Sequence, residues 1–569
     1  MANVPIPTKN KKTFDLSFPH ITTQRFYEPN VAMIIEAVAG SKFTIKQSTF
    51  RRLDPMPLPP LSQVRCSTKY YFVPMLTIFP AWQEFKTLTA TESGKTLVKN
   101  TKVHVLQNTT ILNLLKTSNY SEAHLIGWDG KYDFMTTNGK YVLKTRGRIL
   151  VKLLNQLGYD FTAHSYASEI EFSAMPLLAF AKVIFDHYIN PQFINDTTRY
   201  SAIRTLFTQQ ESKIMTQEEL DLICDFMIFT CYMHDYFVDA FVNESGPTYN
   251  ESTEIGSMND ELGGTIDSRT NNVVQYAPYN GKLTKKGIDI LKSMSNFMMR
   301  NNIAGGRFVD RLLVQFGYKP NNIIAKRSSF IEENHQNVSI EPVLNTTDEQ
   351  LGQFAGFGQN NDEADENQII NIDTNDLDGY IIAIDTITPE LYYINGVRRH
   401  VLHKKVFDFY TPQYDCLGTD AVSQAEIAMS KRYDRYCTNR PDLAVFGYKP
   451  RYSEYKENYG IVTGDFRIPS VNTDLDGYQT ARKINPDDWL VSGSSNEYSV
   501  TQSKEFAFAY DREQYNRLFY VESETTDYMK SVFRFDIELD APFKGIDDFY
   551  QFEHDENSVD IPTGGEFKN

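Results

Sequence analysis

Apolar and polar residues alternate in two early runs of the chain. Over Lys42–Phe50, Phe43 and Ile45 point one way and Lys42, Thr44 and Lys46 the other. A period of two over that length is a half-buried strand. Val64–Val73 repeats the pattern, with Val64, Cys66, Thr68, Tyr70 and Phe72 on one face. The Pro55–Pro60 segment ends the first run and Pro74 the second, since proline cannot donate to a ladder. Further on, Gly379–Ile427 reads as a strand over Tyr380–Ile387, a Thr-Pro-Glu break, and a second extended run rich in Tyr, Val and Phe. Short apolar runs bounded by Pro, Gly and Asp are antiparallel β grammar.

A helical period interrupts this frame. Phe79–Leu88 predicts a short helix, and Gly147–Leu157, Glu218–Met233 and Ile290–Met298 predict longer ones. Met175–Ile189 is apolar nearly all round except for Lys182, Asp186 and Asn190. That pattern predicts a buried helix exposing one polar edge. No period survives in Asn243–Lys282 or in the acidic stretch Asn360–Asn367, and loops of the first length are functional or disordered elements. Residues 1–30 are polar and Pro-punctuated; a flexible arm and an ordered arm lying on a neighbouring subunit are equally open readings. Strands scattered among helical insertions disfavour a parallel α/β fold. They predict a mainly β sandwich or jelly roll with elaborate loops.

With 41% hydrophobic and 13% aromatic residues in 569, the chain can bury a sizeable core. Its most apolar run, Leu222–Met233, is short and broken by Asp225, which predicts a buried helix rather than a membrane span. The first residues lack the apolar core of a signal peptide, pointing to synthesis and folding in a cytoplasm. Five cysteines without CxxC spacing (Cys66, Cys224, Cys231, Cys416 and Cys437) are expected as buried thiols in a reducing compartment. The net charge of −16 repels a polyanion on average. Contact with DNA must then be local or helped by a basic partner.

Chemistry-bearing motifs are few. Thr374–Tyr380 and Asn472–Tyr478 resemble calcium loops, but the position of the anchoring Glu is Asp385 in one and Lys483 in the other. Asp-Gly turns account for both better. His400 and His403 fall in the extended run with no third ligand at zinc spacing, so a surface pair is expected and no metal site. No catalytic constellation and no cofactor motif is found. Arg398, Arg399, His400, His403, Lys404 and Lys405 form the densest cationic run. It reads either as a solvated strand edge or, with Arg398, Arg399, Lys404 and Lys405 as candidates, as a phosphate-facing strip inside a shell. Tyr392, Tyr393, Phe407, Phe409, Tyr410 and Tyr414 are expected to be mostly core, some of them anchoring subunit contacts.

The motif series resembles the major capsid protein of the Microviridae, small single-stranded DNA phages, in particular the gokushovirus-like branch. The residues that carry the likeness run in family order. They are Thr13–Ser17 (TFDLS), Tyr71–Pro74 (YFVP) with Trp82–Phe85 (WQEF), Phe172–Tyr188, His234–Phe237 (HDYF), Gly305–Phe308 with Phe316–Gly317, and Leu351–Gly358 (LGQFAGFG). Gly379–Ile427, Phe446–Lys456 (FGYKPRYSEYK) and Val462–Arg467 (VTGDFR) complete it. Leu178 stands where the family has an arginine, Ala39-Gly40-Ser41 replaces its Pro-Gly-Asp, and the segment after Trp489 is longer and acidic. The chain thus looks like a divergent member.

The resemblance implies one eight-stranded antiparallel jelly roll over 1–569, with an N-terminal arm at 1–30, helical insertions over 100–378, and a divergent C-terminal segment at 490–569. It implies a non-enzymatic structural protein whose sixty copies build a T=1 icosahedral shell around circular single-stranded DNA, in a virion assembled in a bacterial cytoplasm. Other phage structural proteins would be partners. Residues 243–282 fall where relatives carry a surface protrusion, a candidate for meeting a host receptor or glycan. A carbohydrate-binding or carbohydrate-cleaving β-sandwich and a pentameric spike protein are the competing expectations.

Overall fold

The computed structural model describes residues 12–87, 91–93, 96–98, 102–117, 120, 145–160, 170–188, 197–228, 235–237, 239–240, 293, 297, 300, 308–318, 326–344, 354–362, 369–374, 377–394, 396–415, 418–427, 445–467, 473–481, 513–520, 527–541 and 543. The frame strands are β1 (Lys12–Asp15), β2 (Phe18–Gln24), β3 (Asn30–Ala37), β4 (Lys42–Leu53), β5 (Val64–Pro74), β6 (Ser329–Leu344), β7 (Phe354–Asp362), β8 (Ile369–Asp373), β9 (Gly379–Pro389) and β10 (Met529–Ala541). They join in one curled sheet of ten strands. Every ladder in it is antiparallel.

The long strand β6 joins the two halves of the sheet. Its first part, Ser329–Val338, pairs with β5, and its second, Ser339–Leu344, pairs with β7. The sheet folds over at that point into two walls. One wall runs β3–β9–β5–β6; in the other, β4 carries β7 and β8 on one side and β10 on the other, and β10 in turn carries β1 and β2. The curled antiparallel sheet is consistent with the mainly β jelly roll expected from the sequence, with ten strands where eight were expected, and Val64, Cys66, Thr68, Tyr70 and Phe72 are all buried.

The two walls differ in how they meet solvent, and the sequence differs accordingly. In β10 (MKSVFRFDIELDA) Phe533, Phe535, Ile537 and Leu539 are buried while Arg534, Asp536, Glu538 and Asp540 face out. β9 (GYIIAIDTITP) is buried on both faces. Ile381 and Ala383 enter the barrel, whereas Ile382 and Ile384 pack against the helical insertion. A wall covered on both sides loses its polar alternation. Gly379 opens β9 because a Cβ there would overlap the Val73 carbonyl and the Phe72 ring.

Inside the barrel the inward positions change character twice. Along β4, Phe43 and Ile45 join one apolar cluster, Gln47, Thr49 and Arg51 are buried and polar, and Leu53 joins a second cluster. β5 repeats the order in reverse through Thr68, and β9 through Asp385. The polar belt is bonded within itself: Asp385 accepts from Arg51, from Gln24 Nε2 at 2.7 Å and from Thr68 Oγ1 at 2.8 Å, and Gln47 Nε2 donates to Thr68 at 3.0 Å. Buried polar groups are tolerated only when paired in this way.

The first insertion leaves β5 after Pro74 and returns at β6. It packs α1 (Asn108–Leu115), α2 (Thr145–Gln156), α3 (Met175–Val183), α4 (Thr197–Leu206) and α5 (Gln217–Ile228) on the outer face of the β5–β9 wall, alongside Trp82–Thr87. The helices expected at Phe79–Leu88, Gly147–Leu157 and Glu218–Met233 correspond to Trp82–Thr87, α2 and α5. Four expectations need correction. The polar edge of the Met175–Ile189 helix is not exposed: Lys182 and Asp186 are 6% accessible and pair at 3.1 Å, with Asp186 also accepting from Ser328 N–H and Oγ–H. The helix continues past Val183 as a π-helical turn, Ile184–Tyr188.

Residues 12–24 are not a flexible arm, because β1 and β2 hydrogen-bond to β10 of the same chain. The range 100–378 contains the frame strands β6, β7 and β8 besides helices, and the range 490–569 supplies β10, which lies between β4 and the β1/β2 pair. The expected protrusion at 243–282 lies outside the described residues, as do residues 1–11, Cys231, Cys416 and Cys437. Cys66 and Cys224 are buried and in no disulfide.

Candidate functional site

The second insertion, between β9 and β10, carries the basic run. Its base is an aromatic cluster of Tyr236, Phe237, Tyr393, Val422, Ile427 and Phe446, with Tyr459 packed on it. Two distant motifs meet here: Tyr393 Oη donates to Asp235 Oδ2 at 2.5 Å, joining the Asp-Tyr-Phe of the first insertion to the Leu-Tyr-Tyr that follows β9. Tyr392–Tyr393 pairs with Gly460–Ile461, and Thr419–Ser423 with Val445–Pro450. These short ladders fix the segment that follows.

That segment starts at Gly396, whose φ of +96° and close approach to the Glu426 carbonyl exclude a side chain. Arg399–Leu402 then forms one helical turn, not the extended run expected. The basic residues therefore diverge. Arg399 turns inward, where its Nη1 donates to Glu426 Oε1 at 3.0 Å and to the Ala421 carbonyl at 2.7 Å. Glu426 is fully buried and also accepts from Ser423 N–H at 2.8 Å and Tyr236 Oη at 3.2 Å. Burial pushes the Glu426 carboxyl up, against the opposing pull of Arg399. Arg398 lies over the Tyr459 ring at 5.8 Å, a cation–π contact.

His400 is exposed, but His403 is not the surface residue expected: its side chain is 5% accessible, with Nε2 3.3 Å from Glu454 and the ring stacked on Tyr455. A shallow cleft between these residues is lined by Arg398, His400, His403, Glu454, Asn458 and Tyr459. Among the described residues no group of three or more His, Cys, Asp or Glu side chains could hold a metal ion. No described helix is long and apolar enough to cross a membrane.

Lys404 and Lys405 are exposed at the start of a projecting loop, not on a strand edge. The Asp408 carboxylate accepts both of their backbone N–H groups, at 2.8 and 2.7 Å. Those bonds hold the Asp408 carboxyl below its ordinary value. Beyond them the loop turns its apolar side chains outward. Val401, Val406, Phe407, Phe409 and Tyr410 are 60%, 78%, 54%, 53% and 46% accessible, and Tyr455 beside them is 52%. Of the aromatic residues expected to be core, Tyr393 is; Phe407, Phe409 and Tyr410 instead face solvent. Sequence reasoning singled out these aromatic residues but missed how exposed they are, and it missed Glu426 and Tyr236 altogether. The signal available was Phe446–Lys456, which supplies Lys449, Tyr452, Glu454 and Tyr455 to the same neighbourhood.

Two kinds of comparison bear on the chain. It matches the family described as capsid protein (F protein) over residues 289–544, a span that takes in β6 to β10 and the projecting loop. It is 24% identical to capsid protein VP1 of Chlamydia phage 1 over 200 residues, 32% of this chain and 30% of that protein. It is 18% identical to capsid protein VP1 of Bdellovibrio phage phiMH2K over 516 residues, 82% of this chain and 84% of that protein. The chain thus spans under a third of the first relative and most of the second. The resemblance read from the motifs is borne out.

Proposed function

We propose that this chain, a divergent relative of the phage F-type capsid proteins, is itself a phage major capsid protein that works by self-assembly. The observation that carries the reading is the coincidence of the capsid-family match with the jelly-roll frame: the matched span supplies β6, β7, β8, β9 and β10, half of the ten strands of the curled sheet. The finer reading is sixty copies in a T=1 shell around circular single-stranded DNA, assembled in the host cytoplasm with other phage proteins. The work is complementary contact between surfaces, not catalysis. Large insertions on a small barrel supply contact area that a bare sandwich lacks.

The genome-facing role read for the basic run narrows. Arg399 is committed to Glu426, and Arg398 to the Tyr459 ring. Lys405, exposed at the loop entrance, is the member of the run proposed to meet an anionic partner. With a net charge of −16, neutralising the genome falls mainly to a basic partner or to counterions. The 243–282 segment is proposed as the host-facing element. Expressing the chain with its neighbouring phage proteins and imaging the product tests the reading: closed icosahedral particles are expected, and protomers or small oligomers alone would overturn it.

A further inference from the structure

Three backbone segments meet at the foot of the first insertion. Val105–Gln107 pairs with Glu171–Ser173. Val105 also joins the 213–215 segment, its N–H donating to the Lys213 carbonyl at 2.9 Å and its carbonyl accepting from Met215 N–H at 2.8 Å. α5 follows directly, and Leu106, Ile111, Leu220 and Ile223 share the apolar core behind this seam. His104 stands at its edge. The ring is fully buried, meets Phe79 edge-on at 4.9 Å, and accepts the Lys213 backbone N–H on Nδ1 at 3.4 Å. The ring proton therefore sits on Nε2, which is buried without a hydrogen-bond partner among the described residues.

This is a site for a neutral imidazole. A second proton would go to Nδ1, where it meets the Lys213 N–H head-on; one acceptor is lost and two donors face each other. The new charge would lie in apolar surroundings, which is costly without a counter-ion. The neighbouring elements supply little to offset it. Met75–Trp82 carries no titratable group, Glu171 is paired with Lys102 at 2.7 Å, and Glu219 is paired with Lys213, itself a cation facing the ring. We propose that His104 is an acid-operated release of this seam: on protonation the 213–228 arm parts from 104–107 while the barrel stays folded. The range is set by burial first and the Lys213 charge second, which hold the imidazole down at about 4, against about 6.5 once the seam is open. The closed seam binds the proton less tightly, so opening gains as pH falls below about 6.5 and the gain is complete below about 4. The barrel is not drawn in. Asp527 holds Lys152 of α2 at 2.8 Å, and its carboxyl, kept well below the ordinary range, stays ionised throughout. The helical cover of the β5–β9 wall thus stays anchored through α2 and opens at its other end.

Hydrogen exchange of the full chain, read by mass spectrometry at about pH 7.5 and about pH 5 and corrected for intrinsic rates, tests the proposal. The amides of 104–107, 171–174 and 213–228 are expected to lose protection about thirtyfold at the lower pH, while β4 and β10 keep theirs. His104→Gln, an acceptor that does not titrate, is expected to abolish the difference. If that variant melts early at the higher pH, Lys213→Gln decides: it removes the cation facing the ring, and the seam should then keep more of its protection in acid. Equal protection at the two pH values would overturn the proposal. So would an acid loss as large in His104→Gln as in the wild type, or one shared evenly with β4 and β10. None of these outcomes bears on the capsid reading.

Discussion

Arg51 and Asp385 face each other across the barrel interior as a two-point ion pair, Nη1 to Oδ2 at 2.6 Å and Nη2 to Oδ1 at 2.7 Å, at accessibilities of 1% and 0%. They join β4 of one wall to β9 of the other. Arg51 also lies over the Phe533 ring at 5.3 Å, adding β10 to the same node. Burying such a pair costs desolvation that the pairing offsets; breaking it leaves one charge uncompensated. Arg51→Met is expected to destabilise the protomer by about 3–5 kcal/mol. Arg51→Met with Asp385→Leu should recover most of that loss. Urea unfolding of both variants checks it, and equal losses in the two would show that the charges are not what matters.

Asp527 ties the first insertion to the barrel. It accepts from Lys152 of α2 at 2.8 Å, Arg25 Nε at 2.8 Å and Thr23 Oγ1 at 2.8 Å, while Lys152 also reaches Glu28 at 2.7 Å and Arg148 stands 4.0 Å away. Burial alone would raise the Asp527 carboxyl, but Lys152 and Arg25 outweigh it and hold it well below the ordinary range. A depressed carboxyl stabilises the fold above its unfolded pKa, and that stability is lost as pH falls below the usual carboxylate range. Asp527→Asn is expected to lower stability at pH 7 by about 3 kcal/mol and to flatten the acid limb of a stability–pH curve. An unchanged acid limb would contradict the assignment.

His104 is fully buried, and its Nδ1 accepts the Lys213 backbone N–H at 3.4 Å. Burial first, then the Lys213 charge, pushes it down to about 4. The folded state therefore keeps it neutral while the unfolded chain takes a proton below about 6.5. Its contribution is complete above that value and declines as pH falls toward 4. His104→Gln retains an acceptor without titrating, and should lose less stability than the wild type between pH 6.5 and 5. Denaturation midpoints across that window give the answer.

Arg399 separates an internal role from a genome-facing one. Arg399→Gln is expected to destabilise the protein by about 3 kcal/mol, because Glu426 is left buried without its cation. It should leave the salt dependence of single-stranded DNA binding unchanged. A full-strength fold combined with a shallower salt slope would return Arg399 to the phosphate-facing strip.

Legibility in the sequence followed solvent exposure. β4 alternates because one side of it meets solvent, and β5 was readable because Arg65, Ser67 and Lys69 keep its outer positions polar up to the point where Tyr71 and Val73 pass under the helices. β9 was readable as a strand, yet its burial on both faces was not, since Ile382 and Ile384 acquire their cover from helices more than 150 residues away in sequence. β6 was missed because polar residues such as Asn334 and Gln336 point into the barrel's polar belt, which erases the contrast that marks a strand. β10 alternates cleanly, but its place in the sheet was missed because it pairs with β4 and with β1 and β2, more than 470 residues earlier in the chain. Lys182 misled for a related reason: a charged pair spaced for a solvated helix edge can equally be buried when Asp186 and Ser328 satisfy it. Arg399 looked like its neighbours in the basic run, and only the helical turn, invisible in composition, sends it inward to Glu426.

The central claim is assembly, and sedimentation with imaging of the co-expressed wild-type chain tests it most directly. The account predicts a single fast-sedimenting species of uniform closed icosahedral particles. A population that stays at protomers or small oligomers with every phage partner present would contradict it.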